Sequence, residues 1–449
     1  MYETLNVRDF GAIGDGIADD TEALQNAIDT AAESGQSLFI PQGEYRSRTL
    51  TLHPEVYLSA EPTWGFGWDA CGKTVIRQAD VNMVCQIDLT EARGCTIRGL
   101  SLMGLGIGQC IGMLSRKADF GSQEDSYRIE DCCISHYGGH AMLLDHVSCF
   151  SIRHSQLGFC GGDGLHVNGW NGFILDNWLS GNTGSGYYGE HPNSSITMTS
   201  NRIEWNAGDG IFSAGGGHYN ITGNYIDRSG RAALHLRRVH TATCTGNIMY
   251  RSGKHQEQED ESVHCVLEHC QGITFIGNSM KSGQDDHQQG VVSPVWSMRL
   301  HNLTDCIISS NTMYKSSLLG LIDDRGGHDN LIVTQNVGRE SVELYRQIRI
   351  DEYFNTHYSE PISEDDLAQH FNLSKRQLNR ILQNIYNMSF REKLILVRMQ
   401  QAKQLLLSTD HSIEAIAEMV GYSSLSGFYY AFRKTYNIAA GEYRKILSK

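Results

Sequence analysis

From about residue 94 to 338 one phrase returns with a period near 23 residues: an apolar residue, two more positions, an Asn or a small stand-in for it, a turn, and a second short apolar run. The Asn-equivalent positions are Cys132, Ser155, Asn177, Asn201, Asn224, Asn247, Asn278, Asn311 and Asn336. Three residues before each stands Ile129, Ile152, Ile174, Met198, Ile221, Cys244, Phe275, Ile308 or Val333. A unit this short cannot hold a helix pair. It fits one coil of a right-handed parallel β-helix, an all-β solenoid in which equivalent residues stack about 4.8 Å apart. The asparagines then form an internal ladder, their amides bonding from coil to coil, a structural role rather than a catalytic one. The 47 Gly and only 6 Pro suit many short strands joined by turns.

The first 60 residues carry a more specific signal. Asn6 to Thr21 reads NVRDFGAIGDGIADDT, an amphipathic stretch follows with Leu24, Ala27, Ile28 and Ala31, and Leu38 to Tyr45 reads LFIPQGEY. This opening resembles that of pectate-lyase-like and polygalacturonase-like β-helix proteins. The resemblance implies a short helix plugging the open end of the coil stack, where strand edges and the apolar bore would otherwise be bare. Asp15, Asp19 and Asp20 read as turn and cap residues.

Aligning the strand after each turn gives an outward column, Leu143, His166, Tyr188, Phe212, His235 and His264. Two residues further along lie Asp145, Asn168, Glu190, Ala214, Arg237 and Val266. Rings beside carboxylate, amide and guanidinium groups make a candidate sugar face, the rings stacking on pyranose faces and the charged forks taking hydroxyls or uronate carboxylates. The expected ligand residues are His166, Asn168, Tyr188, Glu190, Phe212, His235 and Arg237. Inserts at about Gly253 to Ser262 and Lys281 to Gly290 are expected to wall the groove. For chemistry, hydrolysis needs a carboxylate pair, Glu190 with Asp163 or Asp209. Elimination from a uronate needs a base, His166 or His235, with Arg231 or Arg237 offsetting developing charge. The chain lacks the Asn-Thr-Asp, Asp-Asp, Gly-His-Gly and Arg-Ile-Lys signatures of polygalacturonases, so a binding groove is the preferred reading over an active site. His264-Cys265 and His269-Cys270 suggest metal, but strand alternation should bury one member of each pair, so neither metal nor cofactor is expected. The twelve cysteines lack CxxC spacing and read as reduced core residues.

Near residue 340 the composition changes. Gly and Asn thin out and apolar residues fall at helical spacing, which divides the chain into a β-helix over 1–340 and an all-α domain over 341–449. A helical pattern runs from Ser341 to about His357. Ser363 with Asp366 and Ser374 with Gln377 make two N-cap pairs flanking a tight turn at Asn372 to Ser374. Helix, turn, helix in this layout is the DNA-reading motif, and it recurs about 49 residues later from Ser412 through Gly421-Tyr422 to Tyr436. Between them Phe390 to Leu407 reads as one helix about 30 Å long, close to the 34 Å between successive major-groove faces. Leu367-Ala-x-x-Phe371, Arg398, Ala402, Ile416-Ala417, Val420-Gly421-Tyr422, Phe428, Phe432-Arg433-Lys434 and Glu442-Tyr443-Arg444 resemble the AraC/XylS family of bacterial transcription regulators. The second reading helix departs from the family's pattern at Gly427 and Tyr430, and Ala440 stands where proline is common. Candidate base contacts are Lys375, Arg376, Gln377 and Arg380, then Ser424, Ser426 and Tyr430, with Arg433, Lys434 and Arg444 as further donors.

Charge follows the same division. Leu367 to Lys449 carries +7, and with −14 for the whole chain the other 366 residues carry −21. One end can approach phosphate and the remainder is repelled by it. Met1 to Arg8 has no basic-then-apolar leader and no run of about 18 apolar residues occurs, so a cytoplasmic protein without membrane segments is expected. The reading is a regulator with double-stranded DNA as partner, a carbohydrate, such as an oligouronate, as ligand, and RNA polymerase and copies of itself as further candidate partners. The competing reading is a glycan lyase or hydrolase with a DNA-binding tail.

Overall fold

The computed structural model describes residues 4–68, 71–253, 262–284, 286, 291–339, 342–371 and 373–447. It divides into two compact units, Met1–Ser341 and Val342–Lys449.

The first unit is a parallel β-helix with three short strands per coil. One coil runs through Arg202–Glu204, Ile211–Ala214 and Gly217–Thr222, and the next begins at Tyr225–Asp227. Every strand pair in the stack is parallel. The one antiparallel pair among the described residues is the small hairpin of Gly283–Gln284 with Val291–Val292. The repeat dictates the register: Ile129, Ile152, Ile174, Met198, Ile221, Cys244, Phe275, Ile308 and Val333 are successive partners. The first eight are buried in one continuous apolar core, whereas Val333 in the last coil is 42% exposed.

The residue just before each ladder position turns the chain through a left-handed conformation: Asp131, His154, Asp176, Ser200, Gly223, Gly246, Gly277, Ser310 and Gln335 all have positive φ. That bend aims the following side chain inward. From Asn177 to Asn311 each buried amide donates to a backbone carbonyl of the preceding coil and to Oδ1 of the next ladder asparagine, at 2.8–3.2 Å. Ser155 and Cys132 continue the ladder with smaller groups. A second, shorter ladder joins Asn182 to Asn206.

Helix α1 (Thr21–Ser34) closes the first end. Its Leu24, Ala27, Ile28 and Ala31 belong to the main core, as an end plug requires. Asp20 is almost fully buried and takes the N–H groups of Ile13 and Gly14, while Asp15 takes those of Ile17 and Ala18. Both therefore shape the turn. All twelve cysteines are free and ten are buried. Burial pushes the thiols of Cys95, Cys132 and Cys160 up to about 12, which leaves them inert at neutral pH.

The second unit is all helical. It holds α2 (Val342–His357), α3 (Glu364–His370), α4 (Lys375–Tyr386), α5 (Phe390–Ser408), α6 (Ile413–Met419), α7 (Leu425–Tyr436) and α8 (Ala440–Leu447). Ser363, Ser374 and Ser389 each form a complete capping box with the residue three positions on. Two cores result. One gathers Phe354, Leu367, Leu378, Leu382 and Phe390, the other Ile416, Val420, Phe428 and Phe432. Helix α5 supplies Leu394 and Val397 to the first core and Met399, Ala402 and Leu406 to the second. No described helix is long and apolar enough to cross a membrane.

Candidate functional site

Stacking the coils brings His166, Tyr188, Phe212 and His235 into one outward column, with Asn168, Glu190, Ala214 and Arg237 beside it. The next coil departs from the expected alignment. Val266 pairs with His235 and Glu268 with Arg237, so His264 and Val266 do not continue the two columns as the spacing suggested. Extra residues precede Ser262 in the sequence, and a slip of two residues leaves inward and outward faces unchanged, so alternation cannot reveal it. In the correct register the columns run on through Arg299 to Asp323 and through His301. The expected inserts fall largely on 254–261 and 287–290, outside the described residues. Alternation holds for His269 and Cys270, exposed and buried, but fails for the other pair: His264 and Cys265 are both fully buried. Burial lowers His264 to about 3, so its ring stays neutral at ordinary pH.

A cleft of about 510 Å³ opens over the later coils. Tyr188, Phe212 and Val266 line it, with Arg231, Arg237, Arg299 and Arg325 beside His235, Glu268 and Asp209, and Asp323 pairs with both Arg299 and Arg325. The rings do not lie open for pyranose stacking. His166, Tyr188 and Phe212 are 4.8 and 4.9 Å apart with planes inclined by only 23° and 24°, so both faces of Tyr188 and one face each of His166 and Phe212 are taken. Phe212 meets His235 edge-on at 5.0 Å, and the Arg237 guanidinium lies 5.4 Å over Phe212. What the column offers a ligand is its edges and charged groups.

The carboxylates divide by depth. Asp163 is buried, its Oδ1 accepting the Ser185 N–H at 2.7 Å and its Oδ2 lying 3.0 Å from His166 Nδ1. Burial alone would raise Asp163, but the His140 and His166 rings and the Ser185 N–H outweigh it and hold the carboxyl below the usual range. Asp209 is also buried and takes the Ala232 N–H at 2.9 Å. Both are better placed to hold wall turns than to reach a glycosidic oxygen. Glu190 is exposed and accepts the Tyr188 hydroxyl. Glu268, which the misplaced register hid, lies 3.1 Å from His235 Nε2, and that imidazole lowers its pKa. Asn168 donates to Asp145 at 3.3 Å.

In the helical unit α4 turns Leu378, Ile381 and Leu382 inward and leaves Lys375, Arg376, Gln377 and Arg380 exposed. Gln377 is partly committed, since its Oε1 takes the Ser374 N–H in the capping box, and Lys375 lies 2.8 Å from Asp365. On α7, Ser424 is the N-cap, Gly427 at the third position has no side chain to complete a box, and Ser426 and Tyr430 are exposed, Tyr430 by 72%. Arg433 and Lys434 are exposed in its last turn. Arg444 lies half-buried on α8, whose Tyr443 packs on Phe432 and Tyr436 of α7. Arg398 of α5 donates to the Tyr358 and Glu360 carbonyls at 2.7 and 2.8 Å and lies 5.5 Å over Tyr422. It thus ties the segment between α2 and α3 to the second motif.

Comparison with known proteins agrees with this anatomy. Residues 367–446 match the helix-turn-helix domain family. Residues 4–83 match the rhamnogalacturonase A/epimerase, pectate lyase-like family, and residues 120–298 match that of the periplasmic copper-binding protein NosD. The chain is 44% identical over 84 residues to mannuronan C5-epimerase AlgE6 of Azotobacter vinelandii, covering 17% of this chain and 9% of the epimerase. It is 33% identical over 97 residues to the lactose operon transcription activator of Staphylococcus xylosus, covering 22% of this chain and 35% of the activator. It therefore spans well under half the length of either relative. The A-module of AlgE6 superposes with a TM-score of 0.59 at 19% identity, over 75% of this chain and 99% of the module, a likeness of fold. The chain joins a pectate-lyase-like parallel β-helix to an AraC-type helix-turn-helix domain.

Proposed function

We propose that this protein is a cytoplasmic, sequence-specific DNA-binding transcription regulator, and that an anionic carbohydrate such as an oligouronate binds the β-helix cleft and alters its DNA affinity or its contact with RNA polymerase. The observation that carries the DNA reading is the pair of helix-turn-helix motifs held by α5, with Arg376 and Arg380 exposed on α4 beside Gln377. Helix α5 has 19 residues, roughly 28 Å at 1.5 Å per residue, a spacing suited to adjacent major-groove faces. Resemblance to a lactose operon activator supports the same reading. The ligand reading rests on the arginine-rich lining of the cleft, in which Arg237 stands beside Arg299 and Arg325, both already paired with Asp323, since planar guanidinium forks suit carboxylates.

A second reading has its own support. The His235–Glu268 pair beside Arg237, on a fold shared with an epimerase module, fits proton transfer on a uronate. One experiment separates the two. The full-length protein is titrated onto the promoter DNA beside its own gene across a salt series, with and without a panel of oligouronates, while each glycan is followed for cleavage or changed stereochemistry. Sequence-preferring binding that shifts with an intact glycan supports the regulator. Glycan turnover with unchanged DNA binding makes the enzyme primary, and DNA binding indifferent to every glycan removes the sensor.

A further inference from the structure

At the head of the ring column the solenoid assembles a group that is not part of the 510 Å³ cleft lining. His140, Asp163 and His166 come from consecutive turns, and one ligand atom from each lies within 4.8 Å of the others. Asp163 Oδ2 stands 3.2 Å from His140 Nδ1 and 3.0 Å from His166 Nδ1, with the two rings 4.9 Å apart. The other carboxylate oxygen is fixed by the Ser185 N–H, so one oxygen is held facing both imidazoles. Side-chain exposures of 26% for His140, 19% for His166 and 11% for Asp163 leave the group reachable yet partly shielded.

We propose that His140, Asp163 and His166 bind one divalent transition-metal ion. Metal–nitrogen and metal–oxygen bonds of about 2.0–2.2 Å place neighbouring ligand atoms of a tetrahedral site roughly 3.3 Å apart, close to the two Asp163–histidine spacings of 3.2 and 3.0 Å already in place. Two imidazoles and one carboxylate suit Zn²⁺, Ni²⁺ or Cu²⁺ and not Ca²⁺ or Mg²⁺, which take all-oxygen sets. Ser185 supplies the outer support that orients a ligating carboxylate. Three protein ligands leave a fourth position open. His140 Nδ1 also accepts the Asp163 N–H at 2.9 Å, and an ion has to displace that amide from the lone pair. Moderate affinity follows, rather than that of a closed structural zinc site.

The test uses the full-length protein without glycan or DNA, so its outcome is independent of the regulator reading. Zn²⁺ titration calorimetry is expected to find one saturable equivalent. His140→Gln and His166→Gln should each weaken it roughly tenfold or more, since even outer-shell changes cost 10–100-fold. His53→Gln, which alters an exposed His–Asp pair lacking a second imidazole, should leave it unchanged. Paramagnetic resonance of the Cu²⁺-loaded wild type reads the ligand set without any substitution and should count two imidazole nitrogens. No saturable equivalent, equal weakening by His53→Gln, or a copper spectrum with fewer than two nitrogens overturns the site.

Discussion

Gly421 closes the bend of the second helix-turn-helix motif at φ +83°, and a Cβ there would stand 2.6 Å from the Ser359 carbonyl oxygen and 2.9 Å from Arg398 Nη2. Both the left-handed backbone and the crowding forbid a side chain. Gly421→Ala should lower stability of the helical unit by roughly 1–3 kcal/mol, read as an earlier loss of helical circular dichroism in urea. An unchanged midpoint would refute the steric account. His264 supports a second prediction at this scale. The unfolded chain takes up a proton near the ordinary histidine value of 6.5, while the folded chain resists until about 3. Folding stability therefore falls as pH drops through that window, by up to about 1.4 kcal/mol per pH unit from this residue. His264→Leu should flatten the slope of melting temperature against pH between 4 and 6, and parallel slopes for the two proteins would show that the ring is not excluded from protons. Neither residue was fully legible in the sequence. Gly421 could be read as a turn, but the neighbours that forbid a Cβ lie 62 and 23 positions away. His264 sits on the outward side by alternation, and only the folded chain shows that this face is covered.

The asparagine ladder and the reading helices are properties of elements. Asn224 donates to the Met198 carbonyl and to Asn247 Oδ1, and its own Oδ1 accepts from the Asn201 backbone and amide. Asn224→Ala strands two buried backbone groups, the Met198 carbonyl and the Asn201 N–H, at about 1–3 kcal/mol each. Asn336→Ala, in the partly exposed last coil, should cost far less because water can replace the amide. Thermal denaturation of the two variants checks the ranking, and equal losses would contradict it. This ladder could be read because its period, apolar partner and amide all repeat. The Asn182–Asn206 ladder escaped because it spans only two coils. The groove was legible on one side of an insertion and lost on the other: Glu268 follows the inserted residues, and no local pattern says how far they shift the register. Caps in the helical unit were legible because a capping box is written within four residues.

On the scale of the whole molecule the chain separates charge along its length, +7 over its last 83 residues against −21 elsewhere. Association with DNA should therefore depend on salt through a few cations on α4 and α7. Arg376→Ala and Arg380→Ala should each reduce the slope of log affinity against log salt by about 1 if the side chain touches phosphate, or relax preference at one base pair if it reads a base edge. A variant that changes neither would exclude that residue from the interface. Two units were legible from composition, whereas the crossing of motifs through Arg398 was not, since it joins carbonyls 38 and 40 residues away. The ladder also has a direction. From Asn177 to Asn311 each side-chain amide donates forward to the next, and Asn336 ends the row as the last acceptor. Seven amide dipoles thus lie head to tail inside a low-dielectric bore, where such chains polarise one another. The solenoid is in this sense an electrical rod, its negative pole at Asn177 and its positive pole in the last coil.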